Sequence, residues 1–195
     1  ALFEGAMREA GATVCRDELE LLDATVIASF RKVPKGRRIG IVTPSGGFGI
    51  LVLDAAEETR LEVPHPAIAP TDEERAQLMH GHFGNPLDYS STISAGPRAV
   101  ETSIAWMASQ PNVDAIILWQ AYGAIREDRQ NQLYEMLSKL VPTSDKPFFV
   151  CGLTVPKFEE RLRGLGVLWF EEPTRLVRAI AAVAPQPPAK PYVPV

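Results

Sequence analysis

Cysteine and histidine are scarce in this chain. Cys15 and Cys151 lie 136 positions apart, and His65, His80 and His82 are the three histidines in 195 residues. Neither cysteine falls in a metal-ligand or redox spacing. Both read as buried, reduced thiols rather than as catalytic nucleophiles. Met79-His-Gly-His82 is too short to build a metal site without further ligands, and His65 sits between prolines, so surface or packing roles are the plain reading and no metal is expected. Long apolar runs are missing too. None approaches the roughly 20 residues needed to cross a membrane, and no secretory signal pattern opens the chain. Positive charge is not in excess: the formal net charge is −4, and no basic stripe offers itself to a phosphate backbone, which argues against nucleic acid. With 46% hydrophobic and 23% charged residues, the composition is that of a cytoplasmic globular protein. Ala1 falls inside a helical pattern, which reads as a piece cut from something larger.

What the chain does have is glycine in one place. Arg38-Ile-Gly-Ile-Val-Thr-Pro-Ser-Gly-Gly-Phe-Gly49 runs from a short apolar strand (39–42) into three glycines within four residues, and a helical pattern continues to about Arg60. A strand, a glycine turn and a helix in that order can build an anion site. Glycine lets backbone N–H groups face a ligand with no Cβ in the way, and a helix N-terminus adds unpaired donors and partial positive charge. Ser45, Gly46, Gly47, Phe48 and Gly49 are the candidate residues. A tight turn that binds nothing is the alternative.

Elsewhere the pattern alternates. Residues 1–10 form the end of an amphipathic helix, Val14–Cys15 a short strand, and Asp17 caps a helix that Val33-Pro-Lys-Gly36 ends. After the glycine helix come a strand near 61–63, a helix from Thr71 with Glu74 as its capping-box partner, and a long polar loop over 81–94. Helix 97–109, strand 113–119, helix 127–140, strand 148–151, helix 156–164, strand 167–170 and helix 173–183 follow. Unbroken apolar strands separated by helices predict a parallel sheet covered on both faces. The expected fold is α/β: a flavodoxin-like, doubly wound, five-stranded parallel sheet, with ligands beyond the carboxyl ends of the strands. The tail from Ala184 carries five prolines and reads as an extended linker.

Two further loops belong to that ligand edge. Gly84-Asn-Pro-Leu-Asp88 places Asn85 and Asp88 around a proline turn as supporting residues, with Asp88 bracing the glycine loop or touching substrate. Phe48, Tyr89, Trp119 and Tyr122 lie at or near the same edge, as packing or as the wall of a substrate pocket.

In that order these motifs resemble the NDP-forming (ADP-forming) acyl-CoA synthetases, the succinyl-CoA synthetase-like superfamily. Arg37-Arg38, the strand and glycine loop, Asp54-Ala55, Gly84-Asn-Pro-Leu-Asp88, Val113-Asp-Ala-Ile-Ile-Leu118, Lys146-Pro147 and the opening Ala10-Gly11 with Asp17-Glu-Leu-Glu-Leu21 cover nearly the whole chain. The resemblance implies a ligase-CoA domain over 36–184, the end of a preceding succinyl-CoA-ligase-like domain plus linker over 1–35, and a Pro-rich linker over 185–195. It implies a parent enzyme, an acid–thiol ligase, that turns acid, CoA and ATP into acyl-CoA, ADP and phosphate through an acyl phosphate and a phosphohistidine. The glycine-loop helix would stabilise the phosphoryl group. ATP/ADP, Mg2+ and CoA would be bound by the parent, and none tightly by this piece. The partners implied are CoA-binding, phosphohistidine and ATP-grasp domains, in the same chain or a separate subunit, and a small carboxylic acid; a homodimer stays open. The family's histidine lies upstream of the matched region and neither His80 nor His82 matches it, so no catalytic residue is expected here and the chain alone should be inactive. Pro44 and Phe48 depart from the family's usual Asn and small or Pro residues. With the neighbouring aromatics, Phe48 raises the expectation of a bulky or aromatic acid. The competing reading is a regulatory or binding module of a larger protein such as a protein acetyltransferase; an FMN-binding flavodoxin is a third.

Overall fold

The computed structural model describes residues 2–78, 82–89, 96–121 and 125–186. Strands β1 (Ile39–Thr43), β2 (Leu87–Asp88), β3 (Ala115–Ala121), β4 (Phe148–Gly152) and β5 (Val167–Phe170) form one sheet in the order β2-β1-β3-β4-β5. Every pairing is parallel. This is the flavodoxin-like order, in which the winding reverses between β1 and β3. Helices α1 (Leu2–Glu9), α2 (Glu18–Ala28), α3 (Gly46–Thr59), α4 (Asp72–Gln77), α5 (Pro97–Ser109), α6 (Glu127–Thr143), α7 (Pro156–Leu165) and α8 (Pro173–Val183) complete the described elements. None of them is long and apolar enough to cross a membrane.

The longer strands are apolar at nearly every position because both faces are covered. Side chains alternate between two cores with the period of two that a strand imposes. Ile39, Ile41, Ile117, Phe149 and Leu168 pack under α3 and α8. Val42, Ile116, Leu118, Val150 and Val167 pack under α5, α6 and α7. Each fully buried side chain of this size contributes about 1.5–3 kcal/mol. Helix α2 joins the first core through Ile27, and its buried Asp23 accepts two bonds from Arg175 of α8, at 3.0 and 2.9 Å. Cys151 is buried in the same core, which pushes its thiol up to about 12; Cys15 is only half-buried, with its thiol also raised by burial, and both are unpaired.

Two expected strands are absent. Val14 and Cys15 are coil, in a segment that follows the end of α8, where Thr13 donates to the Ala182 carbonyl at 3.1 Å. At 61–63 there is one parallel bridge, Glu62 to Arg38. Pro64 and Pro66 follow, and neither has an N–H to continue a ladder. The fifth strand is β2, from the segment read as loop. The Thr71–Glu74 capping box is present, as expected.

Cations close the opposite end of the sheet. The Arg37 guanidinium donates to the carbonyls of Thr59, Arg60, Ala181 and Pro185, which gathers the C-terminal ends of α3 and α8. Lys146 Nζ donates to Ala108 O at 2.5 Å and Gln110 O at 2.6 Å, at the end of α5. Lys32 Nζ serves Val141 O and Ser144 O at the end of α6. Each cation sits where the helix dipole is negative.

Arg38 holds the start of β1 to Asp114 before β3 through Nε (2.8 Å), Nη2 (2.7 Å) and its backbone N–H (3.0 Å). These bonds from Arg38, more than any other cause, hold the Asp114 carboxyl below the usual carboxylate range. A depressed folded pKa stabilises above the unfolded pKa and is lost as pH falls through the folded one. Asp114→Asn should therefore cost about 1 kcal/mol at pH 7, since Arg38 is partly solvated. The gap between wild type and variant should close as pH drops below about 4. Urea denaturation at a series of pH values checks both; a gap independent of pH would contradict the assignment.

Candidate functional site

The glycine loop leaves β1 at its carboxyl end, next to the point where the winding reverses. Thr43 organises the exit. Its hydroxyl accepts from Ser45 N–H at 2.9 Å and donates to Ser45 O at 3.0 Å. Ser45 is extended (φ −147°) and caps α3, its side chain accepting from Phe48 N–H at 3.5 Å. Gly49 N–H goes to Ser45 O at 3.2 Å. That accounts for the N–H groups of Ser45, Phe48 and Gly49. Those of Gly46 and Gly47, the first two residues of a 14-residue helix, make no bond among the described residues, and both glycines are exposed. The donors that α3 can offer an anion are these two.

The three glycines do different things. A Cβ on Gly47 would meet nothing nearer than the Ser45 hydroxyl at 3.9 Å. On Gly46 it would lie 3.3 Å from Asp88 Oδ2, and on Gly49 3.3 Å from Pro86 Cγ. Gly49 is thus a packing glycine that lets α3 lie against the Asn85–Pro86 turn, whose peptide bond is cis.

That turn is tied to β1. Asn85 Oδ1 accepts from Ile41 N–H at 3.0 Å, and Nδ2 donates to Ile39 O at 2.8 Å and Pro64 O at 3.1 Å. Two residues on, β2 pairs with Val42 and Thr43, and Tyr89 N–H reaches Thr43 O at 2.9 Å. Asn85 and Asp88 therefore both sit at the glycine loop, Asn85 through β1 and Asp88 against Gly46. His82 is exposed and bridges to Asp88 through the backbone. His80 lies outside the described residues.

The three described aromatics, Phe48, Trp119 and Tyr89, are not brought to one wall. Phe48 and Trp119 stack face to face, with ring centroids 4.3 Å apart and planes inclined by 16°, on the α3/α8 side. Tyr89 is buried in the opposite core, where desolvation raises its phenol pKa against a hydrogen bond with Gln120. Tyr122 lies outside the described residues. A concavity of about 540 Å³ opens at the other end of the sheet, lined by Lys35, Ala108, Asp114, Leu140 and Lys146, away from the glycine loop. Among the described residues no three His, Cys, Asp or Glu side chains cluster to hold a metal.

No family model matches the chain. Individual proteins do. It is 24% identical over 182 residues to the ADP-forming acetate–CoA ligase I of Archaeoglobus fulgidus, matching 93% of this chain and 25% of that protein. It is 25% identical over 191 residues to the alpha subunit of the ADP-forming acetate–CoA ligase II of Pyrococcus furiosus, matching 95% and 41%. Over nearly its whole length the chain is thus similar to part of ADP-forming acetate–CoA ligases. Relative to these curated ligases it spans a quarter to two fifths of their length, as a fragment would. The fold agrees with a crystal structure of a Pyrococcus horikoshii OT3 protein (TM-score 0.74, 20% identity, 93% of this chain and 42% of that one). It agrees also with the dinucleotide-forming acetyl-coenzyme A synthetase 1 of Ca. Korarchaeum cryptofilum (TM-score 0.71, 17% identity, 93% and 40%).

Sequence patterning missed the Thr43 hydroxyl, and it placed Asn85 at the loop without foreseeing that its amide pairs with β1. Gly-Asn-Pro marks a turn, but pairing between a side-chain amide and a strand edge has no periodicity. The roles of the glycines can be separated by stability. Gly47→Ala should be neutral or stabilise by about 0.5–1 kcal/mol, as Gly-to-Ala does in a helix. Gly49→Val should cost about 1–3 kcal/mol by overpacking against Pro86. Urea midpoints of the two variants check this, and the opposite order would contradict it.

Proposed function

We propose that this chain is the flavodoxin-like domain of an ADP-forming acyl-CoA ligase, in which the first turn of α3 receives a phosphoryl group. The observation that carries the reading is the pair of unengaged N–H groups of Gly46 and Gly47, at the positive end of α3, in a chain whose relatives are ADP-forming acetate–CoA ligases. The overall reaction is acid, CoA and ATP to acyl-CoA, ADP and phosphate, through an acyl phosphate and a phosphohistidine carried by another segment. The solved synthetase from Ca. Korarchaeum cryptofilum in complex with phosphate and ADP supports phosphate chemistry for this kind of protein. The contribution of this domain is electrostatic. Fixed backbone donors and a helix dipole face the developing charge and need no reorganisation as the group arrives. ATP, Mg2+ and CoA are held by neighbouring CoA-binding, phosphohistidine and ATP-grasp domains. Exposed Ile50 and Leu51, one turn beyond the glycines, give such a neighbour an apolar surface to dock on.

The acid we assign is a small one. Phe48 and Trp119 stack on each other within one core and Tyr89 lies across the sheet, so no wall of aromatics is set aside for a ring-bearing acid. The aromatics are packing on this reading. Higher kcat/KM for benzoate than for acetate in the full-length protein would restore the bulky-acid assignment.

The test of the main reading is Gly47→Val in the full-length ligase. A β-branched side chain there has room to fold but crowds the two donors. Acyl-CoA formation should fall by about 100-fold or more, the usual effect of losing an oxyanion-type donor, with an unchanged melting temperature. Turnover at the wild-type rate would overturn the proposal. The 195-residue chain alone should form no acyl-CoA. A full-length protein that forms none from any acid would favour the regulatory-module reading instead.

A further inference from the structure

We infer that Asn85 is the positioning residue of the α3 phosphoryl site, its side-chain amide standing in for a missing piece of edge strand. The inference rests on the assignment of Gly46 and Gly47 as the donors. The edge of β1 that faces away from β3 is satisfied by three separate pieces of chain. Glu62 covers its start, with Ile39 N–H donating to Glu62 O and Glu62 N–H to Arg37 O, both at 2.8 Å. Leu87 and Asp88 cover its end. Between them, Ile39 O and Ile41 N–H face no strand, and both residues are essentially inaccessible to water. Asn85 fills that gap with one acceptor and one donor in the plane of the sheet, and its second donor binds Pro64 O. The arrangement calls for an acceptor and two donors on one short planar group, which among the side chains of this length only Asn provides. Asp has no donors, and a serine hydroxyl has one.

From this anchor two contacts lead to the donors. Pro86, the next residue, packs where Gly49 has no Cβ, and Asp88 lies against Gly46. Pro64 and Asn85 flank the 65–84 segment, so one amide ties the chain on its two sides to β1. Removing the amide strands a buried N–H and a buried carbonyl. The 82–89 segment then loses its register on β1, and the first turn of α3 loses its support.

The experiment titrates the uniformly 15N-labelled 195-residue chain with inorganic phosphate at constant ionic strength and follows the Gly46 and Gly47 amides. Wild type should show saturable shifts at both. Asn85→Ala, and the near-isosteric Asn85→Asp, which keeps the acceptor for Ile41 but loses both donors, should raise the midpoint about tenfold by loss of preorganisation. Thermal unfolding confirms that each variant is folded at the titration temperature. An unchanged midpoint in a folded variant overturns the positioning role and leaves the donor assignment standing. The absence of saturable shifts in wild type overturns the donor assignment and this inference together. If neither variant folds, Asn85 is a residue of the fold rather than of the site, and the inference fails.

Discussion

The edge of β1 that faces away from β3 is the constraint on which the candidate site depends. β1 is fully buried and lies between β2 and β3, so every N–H and C=O along both of its edges must find a partner. β3 satisfies one side in unbroken register. On the other side the chain supplies Glu62, then the Asn85 amide, then β2, in sequence. Because the pieces are short and come from distant positions, the place where α3 begins is held by loops rather than by a long strand. Gly49 against Pro86 and Tyr89 N–H on Thr43 O are where that edge meets the helix.

The two ends of the sheet are treated in opposite ways. At the amino ends of the strands, the carbonyl-rich termini of α3, α5, α6 and α8 each receive a cation from Arg37, Lys32 or Lys146. Burial lowers the pKa of the Lys146 ammonium there, the cost of using a lysine as an internal cap. At the carboxyl end, α3 keeps its positive terminus unanswered at Gly46 and Gly47. Ser45 uses its hydroxyl one residue further in, on Phe48.

The strands β1, β3, β4 and β5 were legible because burial on both faces makes them apolar at nearly every position. Helices α5 and α8 were legible to their ends because Pro97 and Pro173 open them. β2 was not legible. Two residues have no period, and Leu87–Asp88 looks like any turn flank. The expected strand at 61–63 shrank to one bridge because Pro64 and Pro66 remove the donors that a strand needs. At the site, glycines in a strand–turn–helix frame announced an anion loop, but not that Phe48 and Gly49 spend their N–H groups inside the turn. Nor could composition say that Phe48 would face Trp119 across one core while Tyr89 entered the other. Which core a side chain near a strand end joins is decided by register, and sequence patterning does not carry register across a loop.

Native-state amide hydrogen exchange on the 195-residue chain tests the account most directly. Ile41, whose N–H faces a side-chain amide instead of a strand, should exchange as slowly as Ile117 in the centre of the sheet. Gly46 and Gly47 should exchange at close to the rate of open chain. Fast exchange at Ile41 would contradict the role of Asn85 in closing the edge, and protection at Gly46 and Gly47 would contradict the free donors on which the phosphoryl site rests.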